Sequence, residues 1–317
     1  MESKVKKDER KPLVSVVMIS FNHEDYIEES LMSVIKQQND DFDLEILIVD
    51  DESSDDTQKI ITRIQKEYPQ IVFSTFKEHK GVTAINKNLN EQIKKARGKY
   101  ITFLSGDDYY VGNSLAKQLR IFKTNENTNE NVDVVIGEGL NFSTIKNRYL
   151  CKCQEDIIVD MLQQGKMSDI YKYLISNVPR LFIQGFMIKK DLLETIGFFD
   201  EDLIADDWVL NIKIFKYLAN TNRLAVYLND IIFRRNILPS STSHNHKVHL
   251  QRIKEVVQKY APSKYKNNLL KVVYLNYFII YLKEKKYLKA FELFIKYFSK
   301  DLCLKLFFKK LIKKICK

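Results

Sequence analysis

The acidic residues of this 317-residue chain are clustered rather than spread: DDESSDD occupies 50–56, SGDD 105–108 and ADDW 205–208, with NHED at 22–25. Adjacent carboxylates on a tight turn can hold a hard divalent cation, which prefers oxygen ligands. A carboxylate crowded by a second acid and by an aromatic such as Trp208 has its pKa lifted by repulsion and desolvation, as a general base requires. The plainer alternative is that such acids cap helices or stand solvated in loops. The thiols point to no further chemistry. Cys151, Cys153, Cys303 and Cys316 form no CxxC pair and no ligand-spaced set with the five histidines, which argues against a zinc site or a disulfide framework.

The clusters follow elements that alternate regularly. A β-branched run, Val14 to Ile19, precedes a helical stretch from Tyr26 to Gln37 with Ile27, Leu31, Val34 and Ile35 on one face. A strand at Leu44 to Val49, a helix at Thr57 to Tyr68, a strand near Ile71 to Phe76, a helix from about Thr83 and a strand at Tyr100 to Leu104 continue the rhythm. This is the pattern of an α/β protein with a doubly wound, mostly parallel sheet flanked by helices. Ligands bind such sheets beyond the carboxyl ends of the strands, where SFNHED, DDESSDD and SGDD all fall. Val132 to Ile136 reads as a further strand, Phe182 to Ile188 as a periodic apolar run, and Asp207 to Leu218 as a helix. The region 141–180 carries no clear period. After Pro262 the chain reads as helical.

Five segments, VSVVMISFNHEDYIEESLMSVIKQ, LEILIVDDESSDDT, ARGKYITFLSGDDYY, GFMIKKDLLETIGFFDEDLIADDW and FRRN, together resemble the family 2 glycosyltransferases in content and order, from Leu13 to about Ser243. The resemblance implies a GT-A fold and transfer of a sugar from an activated nucleotide with inversion at the anomeric carbon. It implies Asp108 as the direct ligand of Mn2+ or Mg2+, a cation needed to neutralise a departing diphosphate. Asp107 would hold the ribose hydroxyls. Phe21 would stack on a pyrimidine and Asp51 would accept its ring N3–H, with Asp50 supporting that loop; uracil and thymine share this edge, so UDP- and dTDP-sugars both fit.

Asp207, with Asp206 beside it, matches the position of the base that takes a proton from the acceptor hydroxyl. Both alternatives stay open there, since either acid also suits a helix cap. Arg234 and Arg235 fall where relatives place a basic residue near the diphosphate, and Gly185 within FIQGFMI would allow close approach to the sugar. Two positions depart from the family pattern: Ser105 replaces a frequent acid, and Asn236 replaces a frequent histidine, with His244 and His246 nearby.

The net charge of +10 is unevenly placed. Residues 261–317 carry fifteen Lys, no Arg and three acids, a net of +12 that leaves −2 for residues 1–260. The expected division is therefore a glycosyltransferase domain over 1–260 and a basic helical extension over 261–317. Within 300–317, Leu304, Phe308, Leu311, Ile312 and Ile315 share one helical face opposite six lysines, as in a helix lying on an anionic membrane surface. Packing of that face on the protein is the alternative. No apolar run is long enough to span a bilayer, and no signal peptide is visible in the charged MESKVKKDERK start. The chain is expected in the cytoplasm, attached peripherally to the inner face of the cell membrane, where a glycan or lipid-linked oligosaccharide acceptor would be found. Nucleic acid is not expected as a partner, because the excess of positive charge lies outside the body of the chain, whose own net charge is −2. A sugar nucleotidyltransferase would need a glycine-rich loop after the first strand, and ISFNHED has no glycine. A sugar-nucleotide binder without transferase activity would not need Asp108 and Asp207.

Overall fold

A computed structural model describes residues 11–76, 81–127, 130–204, 207–238 and 246–298. The first seven elements are β1 (Leu13–Ser20), α1 (Ile27–Ile35), β2 (Asp43–Asp50), α2 (Thr57–Glu67), β3 (Ile71–Thr75), α3 (Ile85–Lys95) and β4 (Tyr100–Ser105). These match the alternation expected of the sequence. β1, β2 and β4 are buried on both faces, which is why they read as continuous apolar runs rather than alternating ones. α1 buries Ile27, Leu31, Val34 and Ile35 at helical spacing against this sheet. Each such side chain stabilises by about 1.5–3 kcal/mol, and truncating Leu31 to Ala would cost about 2–5 kcal/mol through the cavity left.

The next elements are β5 (Tyr109–Tyr110), α4 (Ser114–Asn127), β6 (Val132–Ser143), β7 (Arg148–Lys152), α5 (Asp156–Gln163), α6 (Met167–Ser176), β8 (Phe186–Lys189), α7 (Lys190–Ile196), α8 (Asp207–Thr221) and β9 (Leu224–Ile237). The sheet runs β3-β2-β1-β4-β8-β6-β9-β5, with β7 paired to β6. Its first four strands are parallel; β8 then runs antiparallel to both β4 and β6. β9 lies parallel to β6, and the two residues of β5 pair antiparallel with it. The sheet is thus parallel where the sequence alternates and mixed where it does not. The region 141–180, without a legible period, holds the exposed strand β7 and the two short helices α5 and α6. α7 ends at Gly197, whose φ of +76° is the left-handed conformation a helix C-cap favours.

At the amino ends of the strands the ARGKY segment closes a buried polar knot. Glu45 accepts from Ser15 Oγ at 2.6 Å, Arg97 N at 2.9 Å and Arg97 Nε at 2.7 Å, while Gly98 N donates to Ser15 Oγ at 2.9 Å. A Cβ at Gly98 would lie 2.5 Å from that hydroxyl. Burial pushes the Glu45 carboxyl up, but these donors and the guanidinium outweigh it and hold it below the usual range.

Two compact units divide the chain. The first runs to Leu174 and takes up again at Pro179–Glu255; the second comprises Ile175–Val178 and the residues from Val256 onward. α9 (His246–Tyr260) belongs to the first unit up to Glu255; the second holds α10 (Ser263–Lys283) and α11 (Tyr287–Phe298), with Phe278 packed on Phe294. Residues 300–317, read above as a membrane-surface helix, lie outside the described residues.

Candidate active site

The loops after β1 and β2 are zipped together by their own polar side chains. Asn22 N donates to Ser53 Oγ at 2.8 Å and Ser54 N to Asn22 Oδ1 at 2.9 Å. Glu24 N bonds Asp55 Oδ2 and Asp56 N bonds Glu24 Oε2. Asn22 and Glu52 adopt positive φ to make these turns. Asp55 also accepts from Thr57 N at 3.0 Å in a local turn before α2, whose N-cap residue, Asp56, makes no side-chain capping bond. Despite partial burial, the Thr57 and Glu24 donors keep the Asp55 carboxyl below the ordinary range.

Asp50 is fully buried and accepts four bonds: Ser20 Oγ at 2.7 Å, Ser53 Oγ at 2.6 Å, Ser53 N at 2.8 Å and Gln58 Nε2 at 2.8 Å. That fills a carboxylate's acceptor capacity, so Asp50 serves the loop. Asp51 follows with its N–H on the Ser20 carbonyl and its Oδ2 accepting from Gly81 N at 2.9 Å. Phe21 is not a core residue; 37% of it is exposed beside this loop.

The Asp107-Asp108 turn is held from three directions. Gly106 N donates to the Ile19 carbonyl and Asp108 N to that of Ser105. β5 follows at once and pairs Tyr109 with Arg234, which brings the end of β9 to the turn. Asn236 N then donates to Asp108 Oδ1 at 2.9 Å, Asn236 Nδ2 to the Asp107 carbonyl at 2.7 Å, and Gln184 Nε2 to Asp108 Oδ2 at 3.3 Å. Asp108 is 2% exposed, whereas Asp107 is half-buried. Burial, reinforced by the Asp107 charge, pushes the Asp108 carboxyl well above the usual carboxylate range against the opposing pull of Arg235 and its donors.

A site that raises the energy of its own carboxylate is one that a cation would relieve. Asn236 Oδ1 and Gln184 Oε1, on the two residues that hold Asp108, are buried without a hydrogen-bond partner. Two carboxylates with spare amide oxygens make an all-oxygen donor set that suits Mg2+ or Mn2+. Among the described residues no group of three or more His, Cys, Asp or Glu converges on one point. His244 lies outside the described residues and His246 opens α9.

Arg234 and Arg235 diverge, as neighbours on a strand must. Arg235 stacks 4.4 Å from the Phe182 ring centroid, donates to Asn141 Oδ1 at 3.0 Å and acts electrostatically on Asp108. Arg234 lies between Tyr109 and Phe142, at 4.4 and 4.7 Å. Asp207 opens α8, and its Oδ2 accepts from Ile183 N at 3.4 Å; Asp206 lies outside the described residues. The single-turn 3-10 segment Ile183–Gly185 therefore touches Asp207 through one residue and Asp108 through the next.

The loop before Asp207 is docked on α3: Asn86 Nδ2 donates to the Asp200 and Leu203 carbonyls, and Asn90 exchanges bonds with Phe199. The close approach that Gly185 permits is internal rather than to a sugar, since a Cβ there would sit 2.7 Å from Gln154 Nε2 and still nearer the Gly137 carbonyl. Gln184, Asn141, Asn86 and Asn90 were not foreseen from sequence. The available signal was an uncharged polar residue inside an otherwise apolar or amphipathic run, as in FIQGFMI.

A family model described as Glycosyl transferase family 2 matches residues 15–197. A GalNAc(5)-diNAcBac-PP-undecaprenol beta-1,3-glucosyltransferase of Campylobacter jejuni is 34% identical over 116 residues, 36% of this chain and 35% of that protein. The chain spans less than half the length of such curated relatives. Two solved structures share the fold at low identity. S. aureus TarS in complex with UDP-GlcNAc superposes with a TM-score of 0.55 at 19% identity, over 82% of this chain and 71% of that one. The mannosyltransferase PcManGT of Pyrobaculum calidifontis, in complex with GDP-Man and Mn2+, gives 0.55 at 20% identity, over 84% and 70%.

Proposed function

The chain belongs to glycosyl transferase family 2, and on that premise we propose that it moves a sugar from a UDP- or dTDP-sugar to a glycan hydroxyl with inversion. The observation that carries this reading is the Ile183–Gly185 turn, which ties the carboxylate suited to a cation to the carboxylate suited to a base. Phe21 stacks on the pyrimidine and Asp51 accepts its N3–H, on a loop that Asp50 keeps rigid. Asp107 takes the ribose hydroxyls. Asp108, with the amide oxygens of Asn236 and Gln184 at hand, would hold Mn2+ or Mg2+. When bound, that cation neutralises the diphosphate as the glycosidic bond to it breaks.

Arg235, braced on Phe182 and Asn141, adds positive charge on the same side as Asp108. Asp207 accepts the proton of the acceptor hydroxyl, which is too weak an acid to attack unaided at neutral pH. The Asn86 and Asn90 contacts with residues 199–203 keep the Asp207 end of α8 in place. The acceptor is a surface glycan on a lipid carrier, a reading supported by the Campylobacter jejuni relative, which is named for a diphosphate-undecaprenol-linked substrate. The lysine-rich 300–317 sequence supports peripheral attachment to the anionic inner face of the membrane, and no described helix is long and apolar enough to cross one.

The test is nucleotide release from a panel of UDP- and dTDP-sugars with Mn2+, with and without lipid-linked acceptors. Acceptor-dependent release from at least one pair is expected. No release from any pair by folded protein would refute the reading.

A further inference from the structure

The Ile183–Gly185 turn that joins the two acids can do little to hold itself in place. A single 3-10 turn makes few hydrogen bonds of its own, here Gly185 N to the Phe182 carbonyl at 3.3 Å and Phe186 N to that of Ile183. Its bonds to the acids are long, 3.4 Å from Ile183 N to Asp207 and 3.3 Å from Gln184 Nε2 to Asp108. Bonds of that length are too weak to fix a segment. The short ones come from three buried amides. Gln154 Oε1 accepts from Phe182 N at 2.9 Å, Gln118 Nε2 donates to the Gly185 carbonyl at 2.9 Å, and Asn211 Nδ2 donates to the Leu181 carbonyl at 2.7 Å.

Gln154 stands apart because it grips one residue by both backbone groups. Besides accepting from Phe182 N, its Nε2 donates to the Phe182 carbonyl at 3.2 Å and to that of Gly137 at 3.3 Å. The side chain is 1% exposed, and an amide buried there would be costly to leave unpaired, so these bonds hold it as firmly as it holds Phe182. Its own backbone is anchored in turn. Buried Glu138 accepts from Gln154 N at 3.0 Å and Cys153 N at 3.2 Å through one oxygen and from the Tyr227 hydroxyl at 2.9 Å through the other.

We propose that Gln154 is a positioning residue for sugar transfer. By fixing Phe182 it sets Arg235 through the stacked ring, Asp207 through Ile183 N and Asp108 through Gln184, while Gln118 holds the far end of the turn. The inference rests on the transferase reading above and deepens it. Gln154 has no exposed surface to offer a substrate, and none of the bonds just described reaches the loops after β1, β2 and β4 that carry Phe21, Asp51 and Asp107. Its loss should therefore cost turnover far more than donor binding, since misplacing a reacting group by about 1 Å can slow a reaction about a hundredfold.

The experiment uses Gln154→Met in the full chain, a side chain of similar volume that cannot replace the hydrogen bonds. Hydrogen exchange of the Ile183 amide, followed by NMR without substrate, should quicken at least about tenfold. With the donor and acceptor identified by nucleotide release, kcat should fall at least about thirtyfold and the donor KM should change less than about threefold. Ile71→Ala, a core truncation at the amino end of β3, is the reference for general loosening. In it Ile183 exchange and kcat should both stay within about threefold of wild type. Gln118→Met should show the same pattern at about fivefold in kcat, and it carries the test should Gln154→Met fail to fold.

Unchanged Ile183 exchange in the Gln154 variant would overturn the proposal. So would quickened exchange with kcat intact, or an Ile71→Ala variant that loses as much turnover at equal stability. Exchange is read without turnover, so a wild-type chain that releases no nucleotide would refute the transferase reading, whereas exchange that ignores Gln154 would refute only this one.

Discussion

Asp50 and Asp108 stand at similar places, each in an aspartate pair at the carboxyl end of a parallel strand, and both are buried. Their surroundings differ sharply. Asp50 receives four protein hydrogen bonds, from residues no more than 30 positions away. Asp108 receives two, from residues 76 and 128 positions away, and lies beside another carboxylate and amide oxygens that have no partner. The lesson is that a buried acid with its acceptors filled has its work done by the fold. One left under-served, at a cost the fold sustains, is available to a ligand.

The sharpest way to break this comparison is to neutralise each acid in turn. Asp108→Asn should reduce transfer at least about a thousandfold, which corresponds to about 4 kcal/mol of lost transition-state stabilisation. It should leave the melting temperature within about 2 °C of wild type, because a charge already disfavoured by burial is removed. Nucleotide-release kinetics and thermal denaturation report the two halves, and retained turnover would refute the distinction. Asp207→Asn should lower kcat by about 10²- to 10⁴-fold, the range of general-base catalysis, without weakening UDP-sugar binding in calorimetry. A matching loss of donor affinity would move Asp207 out of that role.

Asp50→Ala should show the opposite balance. It leaves the donors of Ser20, Ser53 and Gln58 without their acceptor and should destabilise by about 2–4 kcal/mol in urea denaturation. Transfer by the fraction that remains folded should fall far less than in the Asp108 variant. The smallest effect expected is that of Phe21→Ala. Loss of base stacking should weaken donor binding by about 1 kcal/mol, roughly a fivefold rise in KM. Stability should change by less than about 0.5 kcal/mol for a side chain this exposed. An unaltered KM would show that Phe21 does not contact the base.

Legibility in the sequence followed locality. The run from Leu13 to Leu104 was read with its elements nearly in place, because a strand buried on both faces and a helix buried on one write their periods into neighbouring residues. The acid clusters were legible as strand-end loops for the same reason. β7 was not, since it is exposed throughout and writes no apolar period into its residues. β9 is not legible as a strand: its register shifts twice against β6 near Glu138, and LAVYLNDIIFRRN shows no sustained alternation. Gln184 and Asn141 went unremarked because a lone amide in an apolar strand or turn has no local partner to explain it.

The sequence by itself determined the α/β architecture of the first half and the acid clusters that stand at the carboxyl ends of its strands, all consequences of side-chain period and turn chemistry over a few residues. Only the tertiary structure decided which acid is satisfied and which is not. That distinction depends on β5 pairing with β9 and on the Ile183–Gly185 turn packing beneath the site, which bring Asn236 and Gln184 to Asp108 across 128 and 76 residues. Strand pairing at such separations is set by how the whole core packs, and no local pattern records it.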